Sequence, residues 1–158
     1  MLYSPTKSSL PSLKDLLSSI FMRAPPNNSL KESWNIHGYK EFLFSRSSHA
    51  LRFIAKLRLD YSLKDRINIW IPGYFCNESL YPLRSENVNI TFYPIRDNGS
   101  PNLAEMYKIL NEKNMPDLFL VAHFFGKVID LKESIEFSKK TDAWIIEDGA
   151  HILKIEDN

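Results

Sequence analysis

The sequence predicts an α/β fold, a mostly parallel sheet with helices on both faces. Three observations carry that expectation. Short, bulky apolar runs recur four times along the 158 residues. Segments with apolar residues at three- and four-residue intervals separate them, each long enough for a crossover helix. The polar residues that invite chemistry collect just after the apolar runs, at the strand ends where open α/β sheets bind ligands.

Residues 1–33 are rich in Ser, Pro and Asn and contain the break Ala24-Pro25-Pro26-Asn27-Asn28. They read as a variable N-terminal extension. One amphipathic piece, Leu13 to Met22, suits packing on the domain or on a partner subunit. Residues 34–158 read as the folded domain. Glu41 to Phe44 lead into Ser45-Arg46-Ser47-Ser48-His49. From there Ala50, Leu51, Phe53, Ile54, Leu57 and Leu59 mark an amphipathic helix over Ser48–Leu59, with Ser47 or Ser48 at the N-cap. Such a helix start offers unbonded N–H groups and a partial positive charge to a phosphate. Plain capping is the commoner reading of the same serines.

Ile67-Asn68-Ile69-Trp70-Ile71 alternates strictly and stops at Pro72-Gly73, a strand running into a turn. Phe75 follows that end, where an aromatic ring either joins the core or lies against a planar ligand. Asn77 to Leu83 fit a short helix. Val88 to Ile95 is the second strand, closed by Arg96-Asp97-Asn98-Gly99-Ser100-Pro101. Leu103, Met106, Tyr107 and Leu110 form a helix face. Leu118 to Ala122 is the third strand and ends at His123-Phe124-Phe125-Gly126. Leu131, Ile135 and Phe137 mark another helix, up to Lys140. Ala143 to Ile146 then reads as a strand buried on both faces, halted by Glu147 and Asp148, with His151 three residues beyond. An acid and a histidine at that edge are candidates for chemistry, or for a capped turn and a structural hydrogen bond.

Composition narrows the function. A net charge of +1, without a basic stripe interleaved with aromatics, points away from nucleic acid and anionic membranes. The lone Cys76 permits no internal disulfide and no Cys-rich zinc site, which suits the cytoplasm. No apolar run reaches the roughly 18 residues of a membrane span. The N-terminus lacks signal-peptide order. Gly-x-Gly-x-x-Gly, Gly-Lys-Ser/Thr and Gly-x-Ser-x-Gly motifs are absent. His37, His49, His123 and His151 have no two-histidine metal spacing. A phosphoacceptor role for Asp148, as in a receiver domain, would need an acidic cluster and a partner lysine that the sequence does not place at the other strand ends.

Four segments in order resemble the DegT/DnrJ-type sugar aminotransferases, pyridoxal-phosphate (PLP) enzymes of the aspartate aminotransferase fold. They are Arg46-Ser47-Ser48-His49-Ala50-Leu51, Pro72-Gly73-Tyr74-Phe75, Val121-Ala122-His123-Phe124-Phe125-Gly126 and Ile146-Glu147-Asp148-Gly149-Ala150-His151. The resemblance runs from about Phe42 to Leu153 and implies the N-terminal part of a fold-type I large domain. It implies PLP as cofactor: Asp148 pairs with the ring nitrogen, His151 bonds near the phenolic oxygen, Phe75 stacks on the ring, and Ser47 and Ser48 hold the phosphate. It also implies amino transfer from a donor such as glutamate to a keto-sugar, for nucleotide-sugar or surface-polysaccharide biosynthesis, by a homodimer in full-length form. The phosphate segment carries Arg46 and His49 and no glycine. Lys127 and Lys154 do not match the family's Schiff-base lysine motif, which lies downstream, so no catalytic residue is identified. Two expectations stand together: an aminotransferase seen without its lysine, or a non-catalytic module that binds PLP, a sugar nucleotide or a partner subunit.

Overall fold

The computed structural model describes Leu17, Tyr39, Lys40 and residues 42–152. Contacts divide the chain into two units, Met1–Leu43 and Phe44–Asn158. The expected extension over residues 1–33, with its helical piece Leu13 to Met22, lies outside the described residues apart from Leu17.

The second unit runs α1 (Ser47–Ser62), β1 (Ile67–Pro72), a 3-10 helix (Asn77–Ser85), β2 (Val88–Tyr93), α2 (Leu103–Ile109), β3 (Leu118–Ala122), α3 (Lys132–Thr141) and β4 (Trp144–Asp148). All strand pairs are parallel, in the order β2-β1-β3-β4. Side chains alternate across this sheet, so each central strand feeds two cores. Ile67, Ile69 and Ile71 of β1, with Leu118, Leu120 and Ala122 of β3, pack against Leu51 and Ala55 of α1 and Leu80 and Leu83 of the 3-10 helix. Trp70 of β1, with Phe119 and Val121 of β3, faces Met106 of α2 and Phe137 of α3. Helices therefore cover both faces, as the element order predicts.

Five local expectations are corrected. β4 is not buried on both faces: Trp144, Ile145 and Ile146 are half-buried, because β3 is the strand's one neighbour among the described residues. The strand also continues through Glu147 and Asp148, whose backbones stay in register with Val121 and Ala122. β2 stops at Tyr93, since Ile95 bridges Pro101 instead and the Arg96 N–H donates to Ser100 O at 2.8 Å, folding the turn onto itself. Neither Ser47 nor Ser48 is the N-cap: Arg46 is, with extended φ of −151° and no side-chain cap bond. The inward face of α1 also differs from a simple apolar count, with Ser48, Leu51, Ala55 and Arg58 buried. Arg58 is accommodated because its Nη2 donates to Asp142 O at 2.9 Å and its guanidinium lies 4.9 Å from the centre of the Trp144 ring.

Segment 77–85 tightens to 3-10 geometry. Three residues per turn bring Leu80 and Leu83 onto one line, both buried, while Pro82 sits between them.

Candidate functional site

Strand order decides where a pocket opens. From β1 the chain crosses to β2 on one side, while β3 lies on the other, so the connections after β1 and β3 diverge. That switch point leaves a crevice beyond the strand ends. A cavity of about 320 Å³ lies there, lined by Tyr74, Phe75 and Cys76 after β1, Ala122 to Phe124 at the end of β3, Asp148 and His151 at β4, and Ser47 of α1. A smaller cavity, about 160 Å³, shares Ser47, Phe75 and Asp148 with it and adds Ser48 and Gly149. Asp148, His151, Phe75, Ser47 and Ser48, the five cofactor-binding candidates of the sequence, thus meet around these adjoining cavities.

Asp148 ends β4 half-buried, and its Oδ1 accepts the Ala150 N–H at 2.9 Å. That bond is the turn-capping role expected of a strand-end Asp, and it uses one carboxylate oxygen. His151 is exposed at the rim, and its Nδ1 accepts the Phe125 N–H at 3.4 Å. The accepting nitrogen carries no proton, so Nε2–H is left as the donor. Phe75 is half-buried and packs partly against the first core. Ser47 opens α1, where no side chain caps the helix; His49 and Ala50 N–H donate to Arg46 O at 3.1 and 3.3 Å, so the N–H groups of Ser47 and Ser48 remain for a ligand. Among the described residues no Lys or Arg lines either cavity.

Sequence reasoning missed an aromatic rim. Tyr74 meets Phe124 and Phe125 at ring distances of 5.5 and 6.0 Å, and His151 stands 6.0 Å from Phe125. Adjacent aromatics at two strand ends were the available signal. Cys76 and Ser79 were missed as pocket residues too. The Ser79 backbone N–H, then its hydroxyl, then the Glu78 N–H hold the exposed Cys76 thiol below its ordinary value. His123, a strand-end candidate in the sequence, is buried and bonded to Glu147.

The donor set fits PLP on chemical grounds. One carboxylate stands at a strand end for a ring N–H, aromatic side chains line the same cavity, an imidazole N–H is available for an oxygen, and an uncapped helix start with serine hydroxyls suits a phosphate. Among the described residues no group of His, Cys, Asp and Glu could hold a metal ion, and no helix is long and apolar enough to cross a membrane.

Known proteins agree at the level of fold. No protein-family model and no curated protein matches the sequence. Solved structures do. The E. coli GDP-4-keto-6-deoxy-D-mannose-3-dehydratase with bound hydrated PLP superposes with a TM-score of 0.61 at 16% identity, over 92% of this chain and 39% of that one. The chain shares the fold of part of that protein. 3-Amino-5-hydroxybenzoic acid (AHBA) synthase matches at TM-score 0.55 and 12% identity, over 66% of this chain and 26% of its own. DesV from S. venezuelae, in complex with a ketimine intermediate, matches at 0.51 and 14%, over 64% and 27%. The chain thus spans roughly a quarter to two fifths of these proteins. The fold implied by the DegT/DnrJ-type resemblance is the fold found.

Proposed function

We propose that the pocket at the ends of β1, β3 and β4 binds PLP, and that the chain is the cofactor-holding part of a PLP-dependent enzyme that modifies a sugar. The observation that carries this is convergence. Four stretches far apart in the sequence meet on two adjoining cavities of a fold in which a solved structure carries PLP. When bound, the cofactor supplies an electron sink for charge developing on the substrate. The chain's residues prepare it. Asp148 pairs with the protonated ring nitrogen and keeps the proton there by charge. Nε2–H of His151 donates toward the phenolic oxygen. The aromatic side of the pocket, Phe75 with Tyr74 at the rim, would lie against the ring and keep water off it. Ser47, Ser48 and the α1 N–H groups hold the phosphate.

Amino transfer to a keto-sugar, with glutamate as donor, is the finer reading. It needs an amine that forms the covalent link and moves protons. A second reading, a PLP-binding module without transaminase activity, is favoured by the absence of lysine from the cavity linings among the described residues. Pyridoxamine 5'-phosphate is the discriminating probe, because it lacks the aldehyde that reacts with any surface lysine. Both readings predict that it binds once per chain. Ketoacid release from glutamate in the presence of PLP favours the first reading. Binding without release favours the second, and no binding rejects both.

A further inference from the structure

We infer that His123 is a positioning residue of this pocket: it ties the Phe124–Ile129 loop to the end of β4 through Glu147, and so fixes where Asp148 and His151 stand. Its side chain is 0% exposed, yet both ring nitrogens and the backbone N–H are bonded. Its backbone N–H donates to Asp148 O at 3.0 Å. Its Nδ1 accepts the Ile129 N–H at 3.0 Å. That bond requires Nδ1 unprotonated, so the ring proton sits on Nε2 and is donated to Glu147 Oε1 at 2.5 Å. Neither ring nitrogen of His123 is left for a ligand, which separates it from the residues proposed to touch the cofactor.

The loop it closes needs holding. Phe125 and Gly126 both have positive φ, 54° and 77°, and the conformation is costly for a phenylalanine that is 73% exposed. The Ile129 bond to His123 and the Lys127 N–H bond to Phe124 O tie that loop down. So tied, Phe125 presents its N–H to Nδ1 of His151 and leaves Nε2–H of His151 as donor. Through Glu147 the same imidazole anchors the residue beside Asp148, on the opposite face of an edge strand with no second neighbour among the described residues.

The inference rests on the cofactor reading for its purpose, and its test separates the two. Amide hydrogen exchange of the chain without cofactor is compared for wild type, His123→Leu, His123→Asn and His123→Gln. Asn places an acceptor near Nδ1, and Gln places a donor near Nε2. The clamp predicts exchange in residues 125–129 faster by roughly tenfold in the Leu variant, with β1 and β2 unchanged. Asn restores protection at Ile129, and Gln restores the bond to Glu147 but not Ile129. Pyridoxamine 5'-phosphate affinity falls roughly tenfold in the Leu variant and recovers in Asn. Unchanged exchange at 125–129, or an equal rise in every strand, overturns the clamp. If the Leu variant fails to fold, indistinguishable Asn and Gln variants overturn it as well. A wild-type chain that shows the exchange pattern but binds no probe sinks the cofactor reading alone.

Discussion

At the residue scale, side chains are set by what their backbone can supply. Leu63 ends α1 with φ of 55° while 92% exposed, so it strains the backbone and buries nothing. Leu63→Gly should therefore stabilise the chain by about 0.5–1 kcal/mol, read as a higher urea midpoint at unchanged slope. A lower midpoint would mean that Leu63 packs on something. Cys76 gives a second reading at this scale. Because Ser79 and Glu78 lower its pKa, the folded chain carries more thiolate than the unfolded chain at any pH below the ordinary thiol range. Iodoacetamide should alkylate it faster in the folded chain at neutral pH, with the advantage fading above that range. Pyridoxamine 5'-phosphate should slow the reaction, since Cys76 is the chain's one cysteine and lines the pocket. Tyr93 is the opposite case. Burial pushes its phenol up, and its hydroxyl donates to Leu120 O at 2.8 Å inside the sheet. Tyr93→Phe leaves that carbonyl unpaired and should cost about 1–3 kcal/mol in the same urea assay.

At the scale of elements, the strands were legible because each is a compact apolar run with a turn signal nearby, as in Ile67 to Pro72 followed by Gly73. Helix faces were less legible. Phe53 and Leu57 sit on the apolar count of α1 yet are 38% and 48% exposed, while Arg58 is buried under Trp144. Long-range partners decide that, and periodicity does not contain them. Burial of β4 was overread for a similar reason: an apolar strand of Trp, Ile and Ile looks central, and only strand order shows it at an edge. The second core gives the sharpest test of packing. Phe137 of α3 is fully buried against Phe119 and Trp70, at ring distances of 5.0 and 5.8 Å. Phe137→Ala should cost about 3–5 kcal/mol, seen as a large fall in thermal midpoint. A loss under about 1 kcal/mol would contradict the two-core description.

At the scale of the whole molecule, one rule made most of the candidate site legible: in a parallel sheet, residues just beyond the strands meet at one edge. Asp148, His151 and Phe75 were found that way, and Ser47 from the helix start. The clamp was not, because the pairing of His123 with Glu147 and Ile129 depends on β3 lying beside β4. The central claim is that this edge holds PLP through Asp148. Calorimetric titration with pyridoxamine 5'-phosphate tests it most directly, on wild type, Asp148→Asn and Asp148→Ala. The account predicts one saturable site in wild type, with affinity weakened roughly tenfold to a hundredfold in both variants, as expected when a charged partner of a ring N–H is removed. Binding that is absent in wild type, or equally tight without the carboxylate, would contradict it.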